Sequence, residues 1–126
     1  NEFDDVILLP HLGASTKEAE INCAIMAAEQ ANKFLKDGEI INSINFPRVR
    51  LGRTTENRLV IVHKDKPGLI GSITSEIASE NINIADMINK SSNEVAITLI
   101  DLSSKPTKNL ISNIKNIKNV LSIRCC

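Results

Sequence analysis

The sequence predicts an α+β fold whose larger part, residues 58–126, is a ferredoxin-like βαββαβ sandwich. Three observations carry that expectation. Apolar residues recur at helical spacing in two short segments, 68–80 and 106–117. Four strand-like runs flank them, in the order β-α-β-β-α-β. The two middle strands are separated only by Ser91-Ser92-Asn93, a hairpin turn. Two βαβ halves with right-handed crossovers then place both helices on one face of a four-stranded antiparallel sheet. A lone strand and helix of α/β character precede this unit.

The preceding piece comes first in the chain. Val6-Ile7-Leu8-Leu9 is a continuous apolar run stopped by Pro10, the pattern of a buried parallel-type strand. A loop, His11-Leu12-Gly13-Ala14, leads to Ser15-Thr16-Lys17-Glu18, which matches a capping box with Ser15 as N-cap. The helix is expected to run to about Lys36, with Ile21, Ala24, Ile25, Ala28, Ala31 and Leu35 on one stripe, and to stop at Asp37-Gly38. One strand and one helix do not make a core, and position 1 is not Met. The expectation is therefore the end of a larger α/β domain in residues 1–47. Ile40 to Phe46 alternates weakly, Pro47 closes it, and the Arg-rich stretch 48–57 has no periodicity and reads as a linker.

The 58–126 unit is more regular. Residues 58–63 form a strand. In the helix 68–80, Leu69, Ile70, Ile73 and Ile77 lie on one face, with Asn81 as its C-terminal cap. Ile82, Ile84 and Ile88 alternate with polar neighbours in a strand over 82–89. The strand 94–102 is apolar on both faces, hence central. Pro106 opens a helix carrying Leu110, Ile111, Ile114 and Ile117; Asn119 caps it, and 120–125 is the last strand. Helices on one face leave the other bare, with Val60, Val62, Ala96, Thr98 and Ile100 as its candidate residues. A half-apolar exposed sheet or an open edge argues for pairing with a second copy.

Composition sets bounds on function. Apolar content of 42% with 24% charged residues is that of a globular protein, and no run reaches the roughly 18 apolar residues of a membrane span. Residues 1–47 carry eight acidic and three basic side chains, net −5, and residues 48–126 carry seven and twelve, net +5. That asymmetry suggests two units and is too mild for nucleic acid. Cys23, Cys125 and Cys126 make neither a disulfide framework nor a metal-ligand spacing, which fits a reducing cytoplasm. Phe3, Phe34 and Phe46 all lie outside the sandwich, so RNA stacking platforms are missing. A metal carrier needs a Cys pair where Asp65 and Lys66 stand. An acylphosphatase-like hydrolase has only a faint signal in Lys66, Gly68 and Gly71.

A small-molecule binding module remains. The turn His63-Lys64-Asp65-Lys66-Pro67-Gly68-Leu69-Ile70-Gly71 hands a strand to a helix, and N–H groups at a helix start suit a small anion. With Asn81-Ile82-Asn83-Ile84-Ala85, it resembles an ACT domain, an amino-acid-sensing module. The segment from Val6 through His11, Gly13 and Ala14 to Ala19 resembles the end of the catalytic part of D-2-hydroxyacid dehydrogenases, with Asn45-Phe46-Pro47 as the junction.

That resemblance implies the following roles. His11 is the catalytic acid/base, and Gly13 and Ala14 lie next to the nicotinamide of NAD. His63, Asp65, Gly68, Asn83 and Ile84 hold L-serine or another small amino acid between two paired ACT domains, so a homodimer is the expected partner arrangement and a higher oligomer is compatible with it. Imidazole suits proton exchange near neutral pH. Asp65 departs from the uncharged Asn that serine-binding relatives often carry, and its charge opposes a ligand carboxylate. The chain has no G-x-G-x-x-G, so by itself it is expected to bind no NAD and to catalyse nothing. The alternatives are a dimerisation unit without an effector, or the end of a family member acting on another 2-hydroxy acid.

Overall fold

An apolar strand needs cover on both faces, and strand β3 (Val95–Leu102) finds it: all of its residues but the first are buried. It pairs antiparallel with β1 (Asn57–Lys64) on one side and β2 (Ile84–Ser92) on the other. Strand β4 (Val120–Cys125) extends the sheet beyond β1, giving the order β2-β3-β1-β4. The structure, a computed structural model, describes residues 5–126, so the acidic start from Asn1 to Asp4, with Phe3, lies outside the described residues. Helices α2 (Leu69–Ser79) and α3 (Lys108–Asn116) cover one face. There Leu69, Ile73 and Ile77 of α2 and Leu110 and Ile114 of α3 pack on Leu59, Ile61, Ile100 and Leu102. This is the ferredoxin-like α+β sandwich, with element limits within two residues of those expected except in β2, which runs three residues past Asn89, so that Ser91 and Ser92 are strand and the hairpin turns at Asn93-Glu94.

Caps and turns follow local chemistry. Thr107 caps α3: its hydroxyl oxygen accepts from Leu110 N–H at 3.0 Å and donates to the Glu80 carboxylate at 2.8 Å, tying α3 to the end of α2. Removing this cap by Thr107→Ala is expected to cost about 1 kcal/mol in urea unfolding. Asn81, Asn93 and Asn119 take the left-handed conformation where α2, the β2–β3 hairpin and the α3–β4 turn end. The residue capping α2 at its C-terminus is Glu80 rather than Asn81.

Three further expectations are corrected. Residues 6–9 form no strand; Val6, Ile7 and Leu9 are 44%, 86% and 83% exposed. A parallel-type strand has to be hydrogen-bonded by neighbours, and the only sheet among the described residues is the four-stranded one. The N-cap of α1 (Lys17–Asp37) is Thr16, whose hydroxyl accepts from Ala19 N–H at 3.1 Å, one residue later than the capping box predicts.

The third concerns the face opposite α2 and α3. Val60 and Val62 do lie there, but Ala96, Thr98 and Ile100 face the helices, and Ile97 and Leu99 take their place. A strand apolar on both sides gives no parity signal; pairing register decides it. That face is also not bare. Ile40, Val49 and Leu51 pack on Val60, Ile97 and Leu99, and Ile40 and Val49 bridge through two backbone hydrogen bonds of 2.9 and 3.1 Å.

Helix α1 meets the rest only at its C-terminal end. None of its residues is buried, and Ile21, Ile25 and Leu35 of the apolar stripe are exposed. A helix leaves its last carbonyls unpaired. Here arginines take them: Arg124 donates to Phe34 and Leu35, Arg53 to Lys36 at 2.7 Å, and Arg58 to Asp37 at 3.0 Å. Gly38, at φ +70°, turns the chain onto the sheet beside Val60.

Candidate functional site

The turn after β1 is built from a short ladder. Lys64 N–H donates to Asn119 and Asp65 N–H to Glu94, each at 2.9 Å, so the neighbouring connections hold the chain until Pro67-Gly68 opens α2. Gly68, at φ +80°, is the N-cap of α2, and no side chain caps that helix. Asp65 is exposed and does not serve as the cap.

His63 is placed differently from a surface ligand. It is 1% exposed and lies on the helix-covered side, level with Ala96. Its Nδ1 is 2.9 Å from the Lys64 carbonyl and its Nε2 2.8 Å from the Thr98 hydroxyl. Thr98 Oγ1 is in turn 2.9 Å from Asn89 Oδ1 on the edge strand β2. Both ring nitrogens are thus engaged within the chain.

Asn83 and Ile84 lie at the far end of the sheet, where Ile84 pairs with Leu102, whereas His63 pairs with Ala96. They border a cavity of about 400 Å³ with Thr74, Ser75 and Ala78 of α2. One chain therefore does not bring His63, Asp65 and Gly68 together with Asn83 and Ile84. A further cavity, of about 470 Å³, lies between β1, α3 and β4, and none of the residues expected to bind ligand lines it.

His11, Gly13 and Ala14 are exposed on the loop before α1, where Ser15 N–H closes a turn onto Leu12 at 3.2 Å. A Cβ placed on Gly13 meets nothing within 4 Å, so the loop is open on that side. The described residues include no group of three or more His, Cys, Asp or Glu residues able to hold a metal, and no helix long and apolar enough to cross a membrane.

Sequence reasoning passed over one polar cluster. Arg58 and Asp101 are a fully buried pair, with Nε to Oδ1 at 2.6 Å and Nη2 to Oδ2 at 2.8 Å. Arg58 also donates to the carbonyls of Asp37, Leu51 and Gly52, and Asp101 Oδ2 accepts from Thr54 N–H at 2.8 Å and its hydroxyl at 2.9 Å. Burial pushes the Asp101 carboxyl up, but the hydrogen bonds from Arg58 and Thr54 outweigh it and hold the group below the usual carboxylate range. The Arg58 guanidinium is raised by its hydrogen bond to Asp101. The visible signal was one charge at the start of β1 and one near the end of β3, whose other residues are uncharged.

No protein-family model matches the chain. Among curated proteins, D-3-phosphoglycerate dehydrogenase of Haemophilus influenzae is 30% identical over 124 residues, 98% of this chain and 30% of that protein. The Escherichia coli K12 protein of the same name is 32% identical over 103 residues, 82% of this chain and 25% of that protein. D-3-phosphoglycerate dehydrogenase 1 of Saccharomyces cerevisiae is 32% identical over 105 residues, 79% of this chain and 22% of its own length. The chain spans less than a third of the length of these relatives. Among solved structures, the regulatory subunit of aspartate kinase from Thermus thermophilus superposes with a TM-score of 0.50 at 10% identity, covering 64% of this chain and 56% of that one. That likeness concerns the fold. The ACT domain of GTP pyrophosphokinase from Chlorobium tepidum gives a TM-score of 0.49 at 19% identity, covering 56% and 95%.

Proposed function

We propose, from its similarity to D-3-phosphoglycerate dehydrogenases, that this chain is the regulatory ACT portion of such an enzyme, with the end of the catalytic part attached. The observation that carries this reading is 30% identity across 98% of the chain, which takes in both the His11 loop and the turn from His63 to Gly71. The division is then 1–47 for the end of the catalytic part, 48–57 for the connection and 58–126 for the ACT unit. The parent oxidises 3-phosphoglycerate to 3-phosphohydroxypyruvate with NAD in the cytoplasm, at the first step of L-serine synthesis. His11 is its acid/base, with Gly13 and Ala14 beside the cofactor. The orienting carboxylate, the substrate Arg and the nucleotide fingerprint belong to the remainder of the parent, so this chain alone turns over no substrate.

L-Serine is the proposed effector. Because His63, Asp65 and Gly68 are at one end of the sheet and Asn83 and Ile84 at the other, a complete site takes the first group from one copy and the second from its partner in a homodimer. Serine regulates only if it binds one arrangement of that pair more tightly than another. Calorimetry of the 126-residue chain with L-serine is expected to show saturable heat, and none at millimolar serine sinks the sensing reading. Asp65→Asn is expected to bind several-fold more tightly, because it removes a like charge facing the ligand carboxylate; unchanged or weaker binding counts against a contact there.

A second reading is a dimerisation unit with no effector. The engagement of both His63 nitrogens within the chain favours it. A dimer in sedimentation that is indifferent to serine selects this reading.

A further inference from the structure

The hydrogen bonds running from His63 to Asn89 cannot all be made by a neutral histidine with the amide as it stands. The Lys64 carbonyl only accepts, so Nδ1 carries a proton and donates to it at 2.9 Å. If the ring is neutral, Nε2 is a bare acceptor and must take the Thr98 hydroxyl proton across 2.8 Å. Thr98 has one such proton, so nothing is left to give to Asn89 Oδ1, 2.9 Å away. The arrangement is satisfied throughout when Nε2 is also protonated: the ring donates to Thr98, and Thr98 donates to Asn89 Oδ1. With a neutral ring, the chain is satisfied only after the amide rotates, so that Asn89 Nδ2 donates to Thr98 and Thr98 donates to Nε2.

We propose that His63, Thr98 and Asn89 form a proton-coupled relay, in which the charge on the buried ring sets which end of the exposed Asn89 amide faces out from edge strand β2. The protonated ring turns the amide NH₂ outward, and the neutral ring turns the carbonyl outward. Burial makes the coupling strict. His63 is 1% exposed and Thr98 fully buried, so an unmade bond there has no water to replace it. Thr98 links β1 to β2 through β3, since it pairs with Ile61 on one side and Asn89 on the other. The charge state of an interior ring therefore reaches a position from which a neighbouring chain or ligand can read it. This inference holds whether or not serine binds.

No charged side chain bonds the ring. By position, the charged residues around it are Lys64 on β1, Asp65 and Lys66 in the following turn, Lys90 on β2, Glu94 in the hairpin, Lys118 before β4 and Lys115 in the last turn of α3; the first turn of α2 carries no acid. All of these lie outside the three-residue chain. The relay is thus a separate device whose own end group, Asn89, tunes it.

The test is NMR of the 126-residue chain between about pH 5 and 8, the range in which histidine changes charge, following the His63 ring nitrogens and the Asn89 side-chain amide together. The expected result is one shared midpoint for both. In Thr98→Val, which keeps the shape but removes the hydroxyl, the Asn89 amide is expected to stop responding. Asn89 is exposed, so its substitutions leave the fold intact and supply the second arm. Asn89→Asp, an obligatory acceptor, is expected to move the His63 midpoint up, and Asn89→Leu to move it down. A His63 ring that does not titrate in this range overturns the relay. So does an Asn89 amide indifferent to a titrating His63, or a midpoint unmoved by both substitutions.

Discussion

Arg58→Met is expected to lower the unfolding free energy by about 3–5 kcal/mol, because it leaves the Asp101 carboxylate buried without its partner. The loss reaches beyond the pair. Arg58 also holds the carbonyls of Asp37, Leu51 and Gly52, so the end of α1 and the segment leading into β1 lose their attachment together. Urea denaturation gives the magnitude, and hydrogen exchange at Gly38 and Ile40 gives its spread. The double variant Arg58→Met/Asp101→Leu is expected to recover much of the loss, since neither charge is then buried alone. A double variant as unstable as the single one shows that the contacts to the three carbonyls, and not the ion pair, carry the effect.

The pH dependence follows from the direction of the Asp101 shift. Its folded-state pKa is depressed below the usual carboxylate range. The stabilisation is therefore complete above the unfolded-state value and is lost as pH falls through the folded one. Wild-type stability should drop in acid, and Arg58→Met should flatten that drop. Arg58, raised from an already high value, contributes no change near neutral pH.

Gly38→Ala is expected to cost about 2–5 kcal/mol, from left-handed strain of a non-glycine residue and overpacking of a filled core. Gly38 has φ +70°, and a Cβ there meets Val60 Cγ2 at 2.3 Å and Leu99 Cδ2 at 3.1 Å. Both contacts are with short branched side chains locked in the sheet, so little can give way. Thermal unfolding by circular dichroism measures the loss. Val60→Ala in the same chain is expected to relieve the steric part and leave the backbone strain. A Gly38→Ala chain as stable as wild type would mean that α1 does not end against this sheet face. The test thus bears on whether residues 38–51 cover the sheet, the feature that most changes the case for pairing through that face.

Much of the fold was legible because it rests on local patterns. The stripe Leu69, Ile73 and Ile77 identifies one buried helix face by spacing alone, and Val120 to Cys125 falls within its expected limits. The apolar run of β3 marks a central strand for the same reason. Val6 to Leu9 shows where such reasoning fails. Its composition meets every local requirement for a strand, yet pairing depends on a neighbouring strand, which a sequence window does not contain. The residues expected to bind ligand divide in the same way. The turn at Pro67-Gly68 is evident from chain chemistry, but the burial of His63 against Thr98 is not.

By itself, the sequence determined the element order of the sandwich, its helix and strand periods, the glycine and asparagine turns and the fold that follows from right-handed crossovers. These depend on residues a few positions apart. The tertiary structure alone decided which side of the sheet each β3 residue faces, and it placed residues 38–51 over the face expected to be open. It also joined Arg58 to Asp101 across 43 positions and His63 to Thr98 across 35. Register and long-range pairing are set by how surfaces and buried polar groups satisfy one another, and neither leaves a periodic trace in the chain.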